Sequence, residues 1–269
     1  MSLEAAADAL GLDLWAAGRL VALGDLPATG AADDAALSTL RDMRSRRRAA
    51  ALDDLAKLDG PHLAPSWPGT PEPAGAIAAP ETEAPSIFID ACVLAGAVRR
   101  HLVLAFAEAG RLQPRWSPRV LFETGHAHAK IVEAKPGRDG AGEAARLVVA
   151  LEQAYPEASV PEDHGVTIAE RLPDEGDRHV IESAVACGAA LILTDNIKDF
   201  PRKVLEAHGL YARTPAEYFA SRIGVDPGAA PALMAASVRL KLSPAQFARA
   251  LQQGRLGGLG KRLGLETRP

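Results

Sequence analysis

Two short runs of uninterrupted apolar residues, each ending at a carboxylate, set the strongest limit on how this chain can fold. They are SIFID at residues 86–90 and ALILTD at residues 190–195. Apolar runs this short, without polar alternation, read as strands buried on both faces, which is the habit of parallel sheets. Helical patterns lie between them. VLAGAVRRHLVLAFAEAG is closed by Gly110, and SPRVLFETGHAHAKIVEA offers Ser117 as a cap with Pro118 in its first turn. GEAARLVVALEQAY follows, and then RHVIESAVACG, capped by Asp177 and ended by Gly188. HGLYAR, residues 208–213, reads as a third strand. Strands alternating with helices predict an α/β fold, a parallel sheet with helices on both faces.

The flanks have a different texture. Residues 1–60 read as entirely helical, with segments punctuated by Gly11, Gly24, Pro27 and Gly30. Residues 61–85 are proline-rich and lack periodicity, as a semi-extended linker would. The α/β unit is expected over 86–220 and a helical extension, broken at LSPAQ, over 221–269. The net charge of −4 is unevenly spread. Residues 1–60 carry seven Lys/Arg against ten Asp/Glu, whereas residues 225–269 carry seven against two. That basic tail suits docking on the acidic remainder of the chain or contact with a phosphate backbone. The two cysteines, Cys92 and Cys187, sit inside apolar runs and read as buried thiols of a reducing compartment. No apolar stretch approaches the ~20 residues of a membrane span, so a soluble cytoplasmic protein is expected.

The carboxylates carry the chemistry. In an open α/β sheet, working residues gather beyond the C-terminal ends of the strands. Asp90 ends the first strand, and Asp195 with Asn196 follows the second. Asp177 opens the helix leading into that second strand, Asp199 lies just beyond it, and Glu123 stands one to two turns into the helix begun at Ser117. Acids brought together repel and raise one another's pKa unless a cation compensates. A hard, oxygen-liganded cation, Mg²⁺ or Mn²⁺, suits such a cluster and would bind one or two carboxylates directly while keeping waters. Held there, it could activate water for an attack on phosphorus.

IFIDACVL, PRWSPRVLFE and DRHVIESAVACGAALILTDNIKDFP, in that order, resemble the PIN-domain nucleases and, within them, the VapC-like toxins of bacterial toxin–antitoxin pairs. The resemblance covers roughly residues 86–220, and the tail also looks like the helical extension of one PIN subgroup. It implies a three-layer α/β/α fold around a parallel sheet and metal-dependent cleavage of RNA. Asp90, Glu123 and Asp177 would be the first three acids, either Asp195 or Asp199 the fourth, with Thr194 and Asn196 as a supporting polar pair. It also implies homodimerisation. EAAADALGLDLWAAGRLVALGDLPATG resembles the excisionase or MerR-type helix-turn-helix, so the front would be an antitoxin-like unit fused to its toxin. The segments DLWAAGRL and TGAADDAALS lack the basic residues of such readers, and DNA binding is expected to be weak or lost.

Arg44, Arg46, Arg47 and Arg48 have two readings: a solvated helix face, or guanidinium groups reaching the acidic site as an inhibitor or RNA clamp. His126 and His128, two apart, cannot share a helix face and read as surface residues, with His126 at the rim of the site; His179 reads as packing or capping. Glu123-x-x-His126 matches half of a di-iron helical motif whose other half is missing here. The leading expectation is a metal-dependent endoribonuclease, restrained by its own front domain or by a separate antitoxin-like partner. Its rivals are a DNA-binding or regulatory interaction protein on an inactive nuclease scaffold, and a nuclease acting on DNA or flap structures.

Overall fold

A computed structural model of the chain describes residues 3–10, 12, 14–23, 26, 34–63 and 84–265. Four short strands make one sheet, all parallel: β1 (Ser86–Ile89), β2 (Gln113–Arg115), β3 (Leu191–Leu193) and β4 (Ala212–Arg213), in the spatial order β2-β1-β3-β4. The register sets Ile87 beside Leu191, Phe88 beside Ile192 and Ile89 beside Leu193. These central side chains are buried on both faces, as the uninterrupted apolar runs require. Flanking helices complete the expected PIN-like α/β arrangement.

The chain leaves β1 for β2 on one side and returns to place β3 on the other. The two central strands are therefore the point where the connections diverge, and such a point opens a crevice beyond the strand ends. Between β1 and β2 run α4 (Ala91–Ala95) and α5 (Ala97–Glu108), where the sequence predicts one helix. Gly96, extended at φ −84° and ψ 119°, divides them. The Arg99 guanidinium folds over this glycine, 3.1 Å from where a Cβ would stand.

The strand β2 was not anticipated. Its sequence Gln-Pro-Arg has neither β-branched residues nor alternation, and proline at a sheet edge is tolerated because the outer N–H has no strand to meet. The third expected strand contracts to two residues, Ala212 and Arg213.

After β2 come α6 (Pro118–Glu133), with Ser117 Oγ accepting from Val120 N as foreseen, and α7 (Gly140–Ala154). Next is α8 (Arg178–Ala186), leading into β3. Beyond β3 lie α9 (Arg202–Ala207), α10 (Pro215–Ile223), α11 (Ala229–Arg239), α12 (Pro244–Gln253) and α13 (Gly257–Arg262). Ser243 caps α12 through a capping box, with Pro244 in its first turn, at the predicted LSPAQ break.

At the front are α1 (Leu3–Leu10), α2 (Leu14–Ala22) and the 30-residue α3 (Asp34–Leu63), which runs three residues into the expected linker. Residues 64–83 of that linker, and the expected breaks at Gly11, Gly24, Pro27 and Gly30, lie outside the described residues. Ala6, Ala7, Ala17, Leu20, Leu26 and Leu37 form a small apolar cluster of their own. Ala51, Leu52 and Leu55 of α3 belong instead to the main core, with the sheet. One helix thus spans both cores, lying along α7. Its far end is fixed by ion pairing. Asp59, 3 % exposed, accepts from Arg100 through both oxygens at 2.6 Å and sits 2.8 Å from His101 Nε2. No helix among the described residues is long and apolar enough to cross a membrane.

Candidate active site

Asp90 occupies the turn where β1 becomes α4. Its N–H donates to Leu193 O at 3.0 Å, continuing the sheet bonding by one residue and locking the carboxylate at the strand end. The side chain is buried and accepts from Thr194 Oγ1 at 2.6 Å and from Cys92 Sγ at 3.1 Å. Thr194 Oγ1 in turn accepts from the N–H of Asn196 at 2.9 Å, and the Asn196 amide reaches Asp177 Oδ2 at 3.4 Å. Thr194 and Asn196 therefore link Asp90 to Asp177 by a continuous polar path, although 86 positions of sequence separate the two acids.

Asp177 precedes α8 without capping it by its side chain. Burial pushes its carboxyl up to about 6, helped by the negative charges of Asp90, Asp174, Asp199 and Glu123. That set of perturbing neighbours defines the cluster. It includes Asp174, which the sequence reading missed although the run LPDEGD was a visible concentration of acids. Asp174 caps its own short turn by accepting from Gly176 N at 2.7 Å.

Glu123 approaches from α6. Its Oε1 lies 3.2 Å from Arg119 Nε and 3.2 Å from His179 Nε2. Burial raises its pKa, Arg119 opposes the rise, and Asp90 adds to it. Burial, reinforced by Arg119, lowers His179 to about 4, so the imidazole beside Glu123 is neutral at pH 7. The role expected of His179, packing or capping, is thus incomplete, because its ring borders an acid of the cluster.

Asp195 and Asp199 separate cleanly. Asp195 pairs with Arg99 Nε at 2.8 Å, and its N–H donates to Cys92 Sγ at 3.3 Å. Its pKa is raised by burial against the pull of Arg99 and Arg255. Asp199 instead acts on Asp177, from the short 3-10 turn Ile197–Asp199 after Asn196. Arg99 could not be found from sequence, since only the break at Gly96 turns it toward Asp195.

Three expectations change. Arg44 and Arg48 converge on Glu157, at 2.9 and 2.5 Å, and Arg48 lies over the Tyr155 ring and bonds Ala154 O. They pin α3 to the end of α7 rather than presenting a free clamp; Arg46 and Arg47 are exposed. His128 is buried, not a surface residue, with Nδ1 3.4 Å from Ala95 O, and burial followed by Arg100 lowers its pKa. His126 is exposed as expected. Cys92 is not simply an apolar thiol: burial, then Asp90, pushes it up to about 12. Such a thiol stays protonated, which suits a hydrogen-bond donor to Asp90 and not a nucleophile.

Whether a divalent cation suits these residues can be judged from the donors. No three Asp, Glu, His or Cys side chains among the described residues form a ready ligand set. The donors are nonetheless hard oxygens: Glu123, Asp195 and Asp199 are partly offset by Arg119, Arg99 and Lys198, while Asp177 is raised by its carboxylate neighbours. That fits an ion held through one or two carboxylates with the rest of its shell as water, and does not fit direct ligation by all five acids.

The family model described as PIN domain matches residues 86–198, less than half of the 269-residue chain, and so supports a PIN-domain protein. PIN domains are in general nucleases. No curated protein and no solved structure matches the chain.

Proposed function

We propose that the chain is a metal-dependent endoribonuclease. The observation that carries this reading is the hydrogen-bonded link from Asp90 through Thr194 and Asn196 to Asp177 at the C-terminal ends of the two central strands, with neighbouring carboxylates helping to push Asp177 up to about 6. A purely structural cluster of this kind would be a cost without a return, whereas perturbed acids in a crevice are what a catalytic site needs. Asp90 and Asp177 would hold Mg²⁺ or Mn²⁺, and Glu123 and Asp199 would accept from water in its shell. When bound, the cation supplies an acidified water and charge stabilisation at phosphorus. Thr194 and Asn196 fix the carboxylates through hydrogen bonds to Asp90 and Asp177. Asp195, engaged by Arg99, serves as the outer anchor of the α4–α5 break.

The test is cleavage of a labelled RNA with Mg²⁺ or Mn²⁺ by the native chain, Asp90→Asn and Asp177→Asn. Each substitution should reduce cleavage at least a hundredfold, and cleavage that survives both would reject the reading. Asp195→Asn should lose far less than Asp199→Asn. A toxin-like use of the activity would show as growth arrest on expression of the native chain, relieved by Asp90→Asn.

A further inference from the structure

The exposed face of α6 has an order that the acid cluster does not account for. At 100° per residue, Arg119, Phe122, Glu123, His126, Lys130 and Glu133 fall within an arc of about 100°. The opposite arc, Val120, Leu121, Thr124, Gly125, His128 and Val132, is buried, with Gly125 set tightly against Val148 and Ala144 of α7. Phe122 is 75 % exposed and packs into neither apolar cluster. It directly precedes Glu123.

The N-terminal end of this stripe is fastened to the acid site. Arg119 bonds both Glu123 and Gly176 O, the carbonyl before Asp177, and Glu123 borders His179. From there the stripe leads outward through His126 to the exposed Lys130, about 12 Å along the axis from Phe122. Of its two acids, Glu123 belongs to the cluster, and Glu133 lies at the far end against Gly140 at the start of α7. What the stripe otherwise presents is the Phe122 ring, the His126 imidazole and the Lys130 ammonium group. On the other side of Asp177, Asn196 is followed by the partly exposed Ile197, a second apolar lip.

We propose that Phe122 is a positioning residue on which an unpaired base stacks beside the phosphate at the acids, and that Lys130 neutralises a further phosphate along the same strand. The occupant is single-stranded RNA, a choice that rests on the ribonuclease reading. An exposed aromatic face flanked by a cation, beside a phosphodiester-cleaving site, suits a strand whose bases are free to stack. A duplex keeps its bases paired and cannot offer one.

The experiment measures binding apart from cleavage. The full chain in EDTA is titrated into a fluorescein-labelled single-stranded RNA of mixed sequence, followed by anisotropy across a salt series. Phe122→Ala should weaken binding about fivefold or more, Phe122→Tyr should restore it, and the thermal midpoint should not move. Lys130→Ala should make the salt slope shallower by about 0.7. Binding by Phe122→Ala within twofold of the native chain overturns the assignment, as does a loss that tyrosine does not repair. A stripe that instead joins two copies of the chain would show Phe122→Ala shifting the sedimentation of a dimer while RNA affinity holds, and this too overturns it. Because binding is measured without metal, a chain that binds through Phe122 yet does not cleave once Mg²⁺ or Mn²⁺ is supplied rejects the nuclease reading and leaves the platform standing.

Discussion

Replacing Asp59 by alanine is the sharpest test of how the front of the chain is held. Asp59 is the countercharge for Arg100, which is fully buried and also donates to Leu94 O. Burial alone would raise the Asp59 pKa, but Arg100 and His101 outweigh it and hold the carboxyl well below the usual range. Removing one partner strands a guanidinium in the core, and breaking buried pairs in this way costs about 3–5 kcal/mol. With roughly 2–4 °C lost per kcal/mol in a chain of this order of size, the thermal midpoint should drop by about 6–20 °C. Hydrogen exchange should rise most in α3 around Leu52 and Leu55, which Asp59 fastens to the body. Arg100→Met combined with Asp59→Ala should recover much of the loss, since the stranded charge goes with it. A loss under 1 kcal/mol, or exchange rising uniformly, would refute the reasoning and leave α3 held by apolar contact alone.

Four other outcomes follow from the same electrostatics and packing. The folded-state pKa values of His101, His128 and His179 are lowered by burial, so below pH about 6.5 the unfolded chain binds more protons and stability should fall as pH drops from 7 toward 4, measured by urea titration. Asp177 acts in the opposite sense: its raised pKa makes its ionisation a cost that grows between pH about 4 and 6. Asp177→Asn in EDTA should therefore be more stable than the native chain at pH 7.5, by about 1 kcal/mol once screening of a half-exposed group is allowed for, and no more stable at pH 4. Mg²⁺ should raise the midpoint of the native chain and not that of Asp177→Asn. Gly140→Ala places a Cβ 2.7 Å from the Ala129 carbonyl, which backbone cannot yield, and should cost about 1–3 kcal/mol in calorimetry.

The N-terminal region packs in two directions. Its sequence resembles an antitoxin-like unit fused to the rest of the chain, and its first two helices with Leu26 and Leu37 bury a small cluster of their own. Yet α3 contributes Ala51, Leu52 and Leu55 to the core of the sheet, and its arginines go to Glu157. Charge alone could not predict that destination, because Glu157 and Asp90 are equally acidic on paper and only the path of the helix selects between them.

The central strands and the principal acids were legible because local pattern suffices for them: an uninterrupted apolar run can only be buried, and a carboxylate at its end stands at the sheet's edge. Asp90 and Asp177 are joined through Thr194 and Asn196, and the charges of Asp90 and Glu123 are felt by one another and by Asp177. Strand β2 was illegible, since Gln113, Pro114 and Arg115 become a strand only because β1 offers an unpaired edge. The pairing of Asp195 with Arg99, the burial of His128 and the exposure of Phe122 were likewise decided in three dimensions. Each depends on which neighbour a side chain meets across the fold, and sequence spacing fixes only the neighbours along one helix or one strand.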